Sequence, residues 1–111
     1  MKRLFLVLFT IAISTALLAH APRSVELSYD KDKQELTVEA EHRVRNVENH
    51  YIDEIKIYVN GEEVKVKELT VQSLPEKEIQ TFSLSLKKGD KVKVVAGCNR
   101  VGSRSAEITI N

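Results

Sequence analysis

The residues best suited to chemistry in this chain are its three histidines and its one cysteine. They are His20, His42, His50 and Cys98. None of them lies in the middle of an alternating apolar run, which predicts positions in loops or at strand ends. Imidazole and thiolate are ligands that bind iron, zinc and copper in proteins. The four side chains are therefore a candidate metal site if the fold brings them together.

Simpler interpretations of the same residues stay open at this point. Histidine tolerates solvent and occurs in loops without any ligand role, and a free cysteine often packs as a small buried apolar residue. Other catalytic patterns are missing from the sequence: there is no Gly-rich phosphate loop, no paired-carboxylate motif, no His-Glu-x-x-His and nothing that marks a Cys–His catalytic triad.

Residues 1–19 have the pattern of a secretory signal peptide. A short basic head precedes Leu4–Leu18, an apolar run of 15 residues. A helix that spans a bilayer needs about 20 such residues, whereas the apolar region of a signal peptide is shorter. We therefore expect an exported protein, periplasmic or extracellular, and an uncleaved N-terminal anchor is the alternative.

Two cleavage points are available, after Ala19 and after Ala21. The second would leave Pro22 directly after the cut, and the locked φ of proline distorts the extended backbone that peptidases bind. Cleavage after Ala19 is the better prediction. It gives a mature domain of residues 20–111 that begins with His20.

The charge balance argues against some partners. The chain has 17 basic and 16 acidic residues, and loss of Lys2 and Arg3 with the signal peptide changes the formal net charge from +1 to −1. A nearly neutral domain is not expected to bind nucleic acid by neutralising phosphates. We predict no nucleic-acid partner and no membrane insertion after cleavage.

The rest of the chain has the pattern of an all-β domain. Apolar and polar residues alternate in short runs, Asn60-Gly61 is a strong hairpin signal, and no helical period of useful length is present. With three Tyr, three Phe and no Trp, the core must be mainly aliphatic. We predict an immunoglobulin-like antiparallel β-sandwich of about seven strands, in which loops distant in sequence gather at one end. The predicted strands are 24–29, 35–41, 51–59, 64–71, 79–86, 91–96 and 104–110.

Two stretches of the chain resemble the iron domain of the superoxide reductases, the desulfoferrodoxin and neelaredoxin family. His50-Tyr51-Ile52, with His42 ahead of it and an amphipathic strand after it, is similar to the family's histidine loop. Cys98-Asn99 with Gly102 is similar to its Cys-Asn-x-His-Gly motif. The resemblance covers most of residues 20–111 through motifs that are short.

This resemblance implies an immunoglobulin-like sandwich that holds one mononuclear non-haem iron. Histidine nitrogens would lie around the iron, a cysteine thiolate would be its axial ligand, and an open position would receive superoxide. In this chain the implied metal ligands are His20, His42, His50 and Cys98. The implied partners are superoxide or another small oxidant and a small redox donor protein.

The chain departs from the family pattern at three places. Val101 stands where the family has its last histidine ligand, Arg43 replaces a proline, and no Glu-Lys pair precedes His20. Three histidines and one thiolate would also suit zinc or copper. Two alternatives to a superoxide-reductase-like iron protein follow: a non-catalytic sandwich with a degenerate metal site, and a copper protein that chelates through an N-terminal His20.

Overall fold

Seven antiparallel strands make up the part of the chain that the computed structural model describes, residues 21–111. Within these residues there is no helix, and hence none long and apolar enough to cross a bilayer. The predicted signal peptide and His20 lie outside the described residues. The strands are β1 (Ser24–Asp30), β2 (Glu35–Glu41), β3 (Ile52–Val59), β4 (Glu62–Glu68), β5 (Lys77–Ser83), β6 (Lys91–Cys98) and β7 (Ser103–Thr109).

The strands form two sheets. One has the order β1-β2-β5 and the other the order β4-β3-β6-β7, with every neighbouring pair antiparallel. The predicted immunoglobulin-like β-sandwich with seven strands is confirmed. The predicted hairpin is also confirmed, because Asn60 and Gly61 join β3 to β4 with φ angles of 52° and 89°. Both angles lie in the left-handed region that a two-residue type I′ turn requires.

The core between the sheets is aliphatic, as the shortage of aromatic residues predicts. Its buried members alternate along the central strands with polar residues that face water, and Phe82 is the aromatic residue among them. Each buried Leu, Ile or Val contributes about 1.5–3 kcal/mol relative to an exposed position. The buried core consists of Leu36, Val38, Ala40, Ile52, Ile55, Ile57, Phe82, Val92, Val94, Ala96 and Ile110.

Two strands lie two or three residues earlier in the chain than the alternation predicts. The strand predicted at 64–71 spans Glu62–Glu68, because the tight turn lets Glu62 pair at once with Val59. The strand predicted at 79–86 spans Lys77–Ser83. Beyond its end the Tyr29 hydroxyl donates to Leu84 O at 2.7 Å and accepts from Leu86 N at 3.1 Å, so these two backbone groups bond to a side chain instead of a neighbouring strand. Alternation therefore marks the face that packs on the core, not the limits of pairing.

Asp90 supports the end of the sandwich where the β3–β4 turn lies. Its carboxylate accepts hydrogen bonds from Lys87 N at 2.9 Å and from Asn60 Nδ2 at 3.0 Å. These donors, the Lys87 amide first, hold the pKa of Asp90 below its ordinary value. A carboxylate with a lowered folded-state pKa stabilises the fold at neutral pH, and this contribution is lost as pH falls through that pKa.

We predict that Asp90→Asn is less stable than the wild type at pH 7 and that the difference shrinks between about pH 5 and pH 2. Urea unfolding over this pH range measures it. The exposed turn residue Asp32, changed to Asn, is the matched control and should show no such convergence. Parallel pH profiles for wild type and Asp90→Asn would contradict the prediction.

Candidate metal centre

Three of the four predicted ligand residues meet at one end of the sandwich. His42 follows the last residue of β2, His50 lies in the loop before β3, and Cys98 is the last residue of β6. Their candidate ligand atoms all lie within 4.8 Å of one another. The fourth residue, His20, lies outside the described residues.

Strand pairing explains why these segments converge. Cys98 is the direct partner of Ile52 across β3 and β6, which places the thiol beside the entrance of β3, two residues after His50. The chain leaves β2 at Glu41, and His42 N then bonds to Glu76 O at 3.0 Å on the connection that enters β5. All three residues thus stand where strands of the two sheets begin or end at the same end of the fold.

The two imidazole rings touch each other. Their centroids are 4.7 Å apart and their planes make an angle of 89°, an edge-to-face contact. His42 is buried, 4% exposed, and Cys98 is 9% exposed, whereas His50 is half-buried. The site therefore has a closed side, formed by His42 and Cys98, and a more open side at His50.

The donor set fits a single transition-metal ion. Metal–nitrogen bonds of about 2.0–2.1 Å and metal–sulfur bonds of about 2.3 Å place neighbouring ligand atoms of a tetrahedral ion about 3.3–3.6 Å apart. The candidate atoms lie within 4.8 Å of one another, so the side chains would close by about 1 Å around a bound ion. Two imidazoles and a thiolate select borderline or soft ions such as iron, zinc and copper over magnesium or calcium.

Asn99 joins the cysteine loop to the histidine loop. Its backbone N–H donates to Tyr51 O at 3.0 Å, its Oδ1 accepts from Tyr51 N at 2.9 Å, and its Nδ2 donates to Asn49 O at 3.1 Å. Both residues that flank His50 are thereby fixed by the residue next to Cys98. The Arg100 N–H donates to Cys98 Sγ at 3.4 Å, and hydrogen bonds of this kind tune the electron density of a ligating sulfur.

Gln72 is a site residue that the sequence analysis missed. It is 2% exposed, and its Oε1 lies 2.8 Å from His42 Nδ1. Its Nε2 donates to His42 O at 2.7 Å, so the amide contacts both the ring and the backbone of this histidine. No sequence signal marks it, because a glutamine between two strands is ordinary in a loop.

A cleft leads to the two histidines from the surface. Arg104 is held at the wall of this cleft, because its Nε donates a hydrogen bond of 2.7 Å to Pro22 O. Among residues 21–111, three arginines and no carboxylate line this cleft, so its local charge is positive although the chain is nearly neutral. The lining residues are Ala21, Pro22, Arg23, His42, Arg43, His50 and Arg104.

Gly102 brings the start of the described chain against the cysteine loop. Its φ is +95°, and a Cβ at this position would lie 3.0 Å from both Cα and Cβ of Ala21. Only glycine combines this conformation with so close an approach. The neighbouring Val101, at the position of the family's last histidine, is 39% exposed and offers no ligand atom.

Comparison with known proteins identifies the fold. No protein-family model and no curated protein matches the chain. A superoxide reductase in the oxidised state aligns with a TM-score of 0.53 and 23% identity, covering 83% of this chain and 88% of that one. The chain shares the superoxide reductase fold. A variant of superoxide reductase (neelaredoxin) from Ignicoccus hospitalis gives a TM-score of 0.52 and 21% identity, covering 89% and 86%.

A third solved structure, a hypothetical protein from Pyrococcus horikoshii OT3, has a TM-score of 0.53 and 23% identity, covering 82% of this chain and 89% of that one. At identities this low the similarity establishes the sandwich and its topology.

We predict that Gly102→Ala lowers the free energy of unfolding by more than Gly89→Ala does. Both glycines have a positive φ, of 95° and 92°, but only the Cβ at 102 would collide with Ala21. Strain of this kind costs about 1–3 kcal/mol at either position, and the collision adds to it at 102. Chemical denaturation of both variants measures the difference. Equal losses of unfolding free energy in the two variants would show that a side chain at position 102 does not collide with Ala21.

Proposed function

We propose that the chain is a superoxide-reductase-like metalloprotein that binds one metal ion, iron in the first place, through His20, His42, His50 and Cys98. The observation that carries the proposal is the convergence of two imidazoles and a thiolate within 4.8 Å at one end of a superoxide reductase fold. The proposed activity is the one-electron reduction of superoxide.

Bound iron would supply the electron that, with two protons, converts superoxide to hydrogen peroxide, and a small donor protein would return the electron. The residues of the chain hold and tune the ion. Cys98 provides a thiolate with the Arg100 N–H directed at its sulfur, and His42 provides a buried nitrogen ligand. A strongly donating sulfur and neutral nitrogen ligands suit a site that changes oxidation state.

The cleft favours an anion as the small molecule that reaches the site. Superoxide carries one negative charge, and the cleft presents Arg23, Arg43 and Arg104 without a carboxylate. A positive cleft with low-dielectric walls raises the local concentration and the on-rate of an anion. These arginines would take the place of the lysine that the family has near its first histidine.

His20 is proposed as the fourth ligand because of the residue that follows it. Ala21 packs against Gly102 beside the cysteine loop and also lines the cleft with His42 and His50. A chain cleaved after Ala19 would begin with His20, the residue directly before Ala21. Export of the mature domain and its cleavage after Ala19 belong to the same proposal.

We expect protein purified from the exported fraction without chelators to have the native mass of residues 20–111 plus one iron. After oxidation it should absorb visible light through thiolate-to-ferric charge transfer. Cys98→Ser should abolish this band and His42→Ala should remove the iron, because each variant deletes a ligand. Zinc or copper in place of iron would support the proposed metal site and contradict the proposed superoxide reduction.

The opposite results define the alternatives. The chain would be a structural or binding module if it stays metal-free after reconstitution. In that case a His42→Ala, Cys98→Ser double variant should melt at the wild-type temperature with or without metal. A mature chain that starts at Pro22 would exclude His20 and the N-terminal copper site together.

We predict that Arg23→Gln with Arg43→Gln slows superoxide reduction about tenfold at low salt and weakens its dependence on ionic strength. Pulse radiolysis of the iron-loaded protein measures the rate constant. Arg45→Gln is the matched control, since Arg45 is an exposed arginine of the same loop that does not line the cleft. An equal effect of Arg45→Gln per positive charge removed would show that net charge, and not the cleft, steers the anion.

A further inference from the structure

The side-chain amide of Gln72 has an orientation that its surroundings determine. Its Nε2 donates to His42 O at 2.7 Å and to Leu74 O at 2.8 Å, and its Oε1 accepts from Ile52 N at 3.2 Å. A flipped amide would direct an oxygen at two carbonyl oxygens and an NH₂ group at an N–H. Three hydrogen bonds therefore fix Oε1 on the side that faces His42.

The position of Oε1 determines where the His42 ring carries its proton. An amide oxygen only accepts hydrogen bonds, and it lies 2.8 Å from His42 Nδ1. His42 Nδ1 must then be the donor. In a neutral imidazole the other nitrogen, Nε2, keeps a lone pair, and a lone pair is what a metal ligand requires.

Gln72 also connects the segments that carry both histidines. Its own N–H donates to Val47 O at 3.1 Å, in the loop that carries His50, and its side chain bonds to the first residue of β3, Ile52. The segment around it is held in turn by Glu78, which is 1% exposed and accepts from Ser73 N at 2.9 Å and Ser73 Oγ at 2.6 Å. The amide is thus a fixed part of the site.

We propose that Gln72 is a positioning residue that holds His42 in the tautomer protonated at Nδ1 and so assigns Nε2 as the metal-binding atom. The consequence for metal affinity depends on the function proposed above. The tautomer itself is a property of the metal-free protein, which separates the two proposals experimentally.

The first test is ¹⁵N NMR of histidine-labelled, metal-free protein at about pH 9, where a histidine of ordinary pKa is neutral. We expect His42 to show a protonated Nδ1 and an unprotonated Nε2. Gln72→Met keeps the length of the side chain, removes the amide, and should shift His42 toward a mixture of tautomers. A wild-type His42 protonated at Nε2 would overturn the proposal, whether or not Gln72→Met folds.

The second test is metal affinity, measured by competition with a chelator for ferrous iron and for zinc. Loss of a group that orients a metal-ligating histidine costs about 10–100-fold in affinity, and we expect this loss in Gln72→Met. Gln80→Met is the matched control, because Gln80 donates to Glu78 Oε2 at 2.7 Å in the same network and does not contact His42 in the described hydrogen bonds.

The outcomes of the two tests are distinct. Equal affinities of Gln72→Met and Gln80→Met would reduce Gln72 to a structural role and overturn the proposal. If the wild-type protein binds neither ion, the proposed metal site is wrong. The tautomer of His42 would still test whether Gln72 positions the ring.

Discussion

The end of the sandwich that holds the histidines depends on how its loop backbone satisfies its hydrogen bonds. Buried N–H and C=O groups that lack a partner cost free energy, and beyond the ends of β2, β3 and β6 the strand ladders no longer supply partners. Two side-chain amides take over this task. Gln72 bonds to backbone groups of residues 42, 52 and 74, and Asn99 bonds to those of residues 49 and 51.

These two amides give the site its shape. Each bridges segments that are far apart in sequence, with Asn99 linking positions separated by about 50 residues and Gln72 positions separated by 20 and 30. A loop held at both flanks loses little further conformational entropy when its side chain binds a ligand. The three candidate ligand residues are therefore held near one another in the folded protein, which is the arrangement that the proposed metal site would need.

The sequence predicts the fold better than it predicts the site. Alternation along β2 and β3 and the Asn60-Gly61 turn are local signals, and they are sufficient for a seven-strand sandwich. The convergence of His42, His50 and Cys98 follows from where strands end, which the pattern also indicates. Gln72 and the arginine-lined cleft leave no local signal, because their roles arise from contacts between segments that only the complete topology brings together.

The groups around the candidate metal site would have opposing effects on the oxidation state of a bound ion. A histidine ligand that donates to a neutral amide is less basic than one that donates to a carboxylate, so Gln72 would leave a bound metal with less electron density than an aspartate or glutamate would. The arginines of the cleft add positive charge nearby. Both effects favour the less oxidised, less positive state of a bound ion, whereas the Cys98 thiolate favours the more oxidised one. In the proposed iron site the reduction potential would depend on the balance between the Cys98 thiolate and the neutral amide with the cationic cleft.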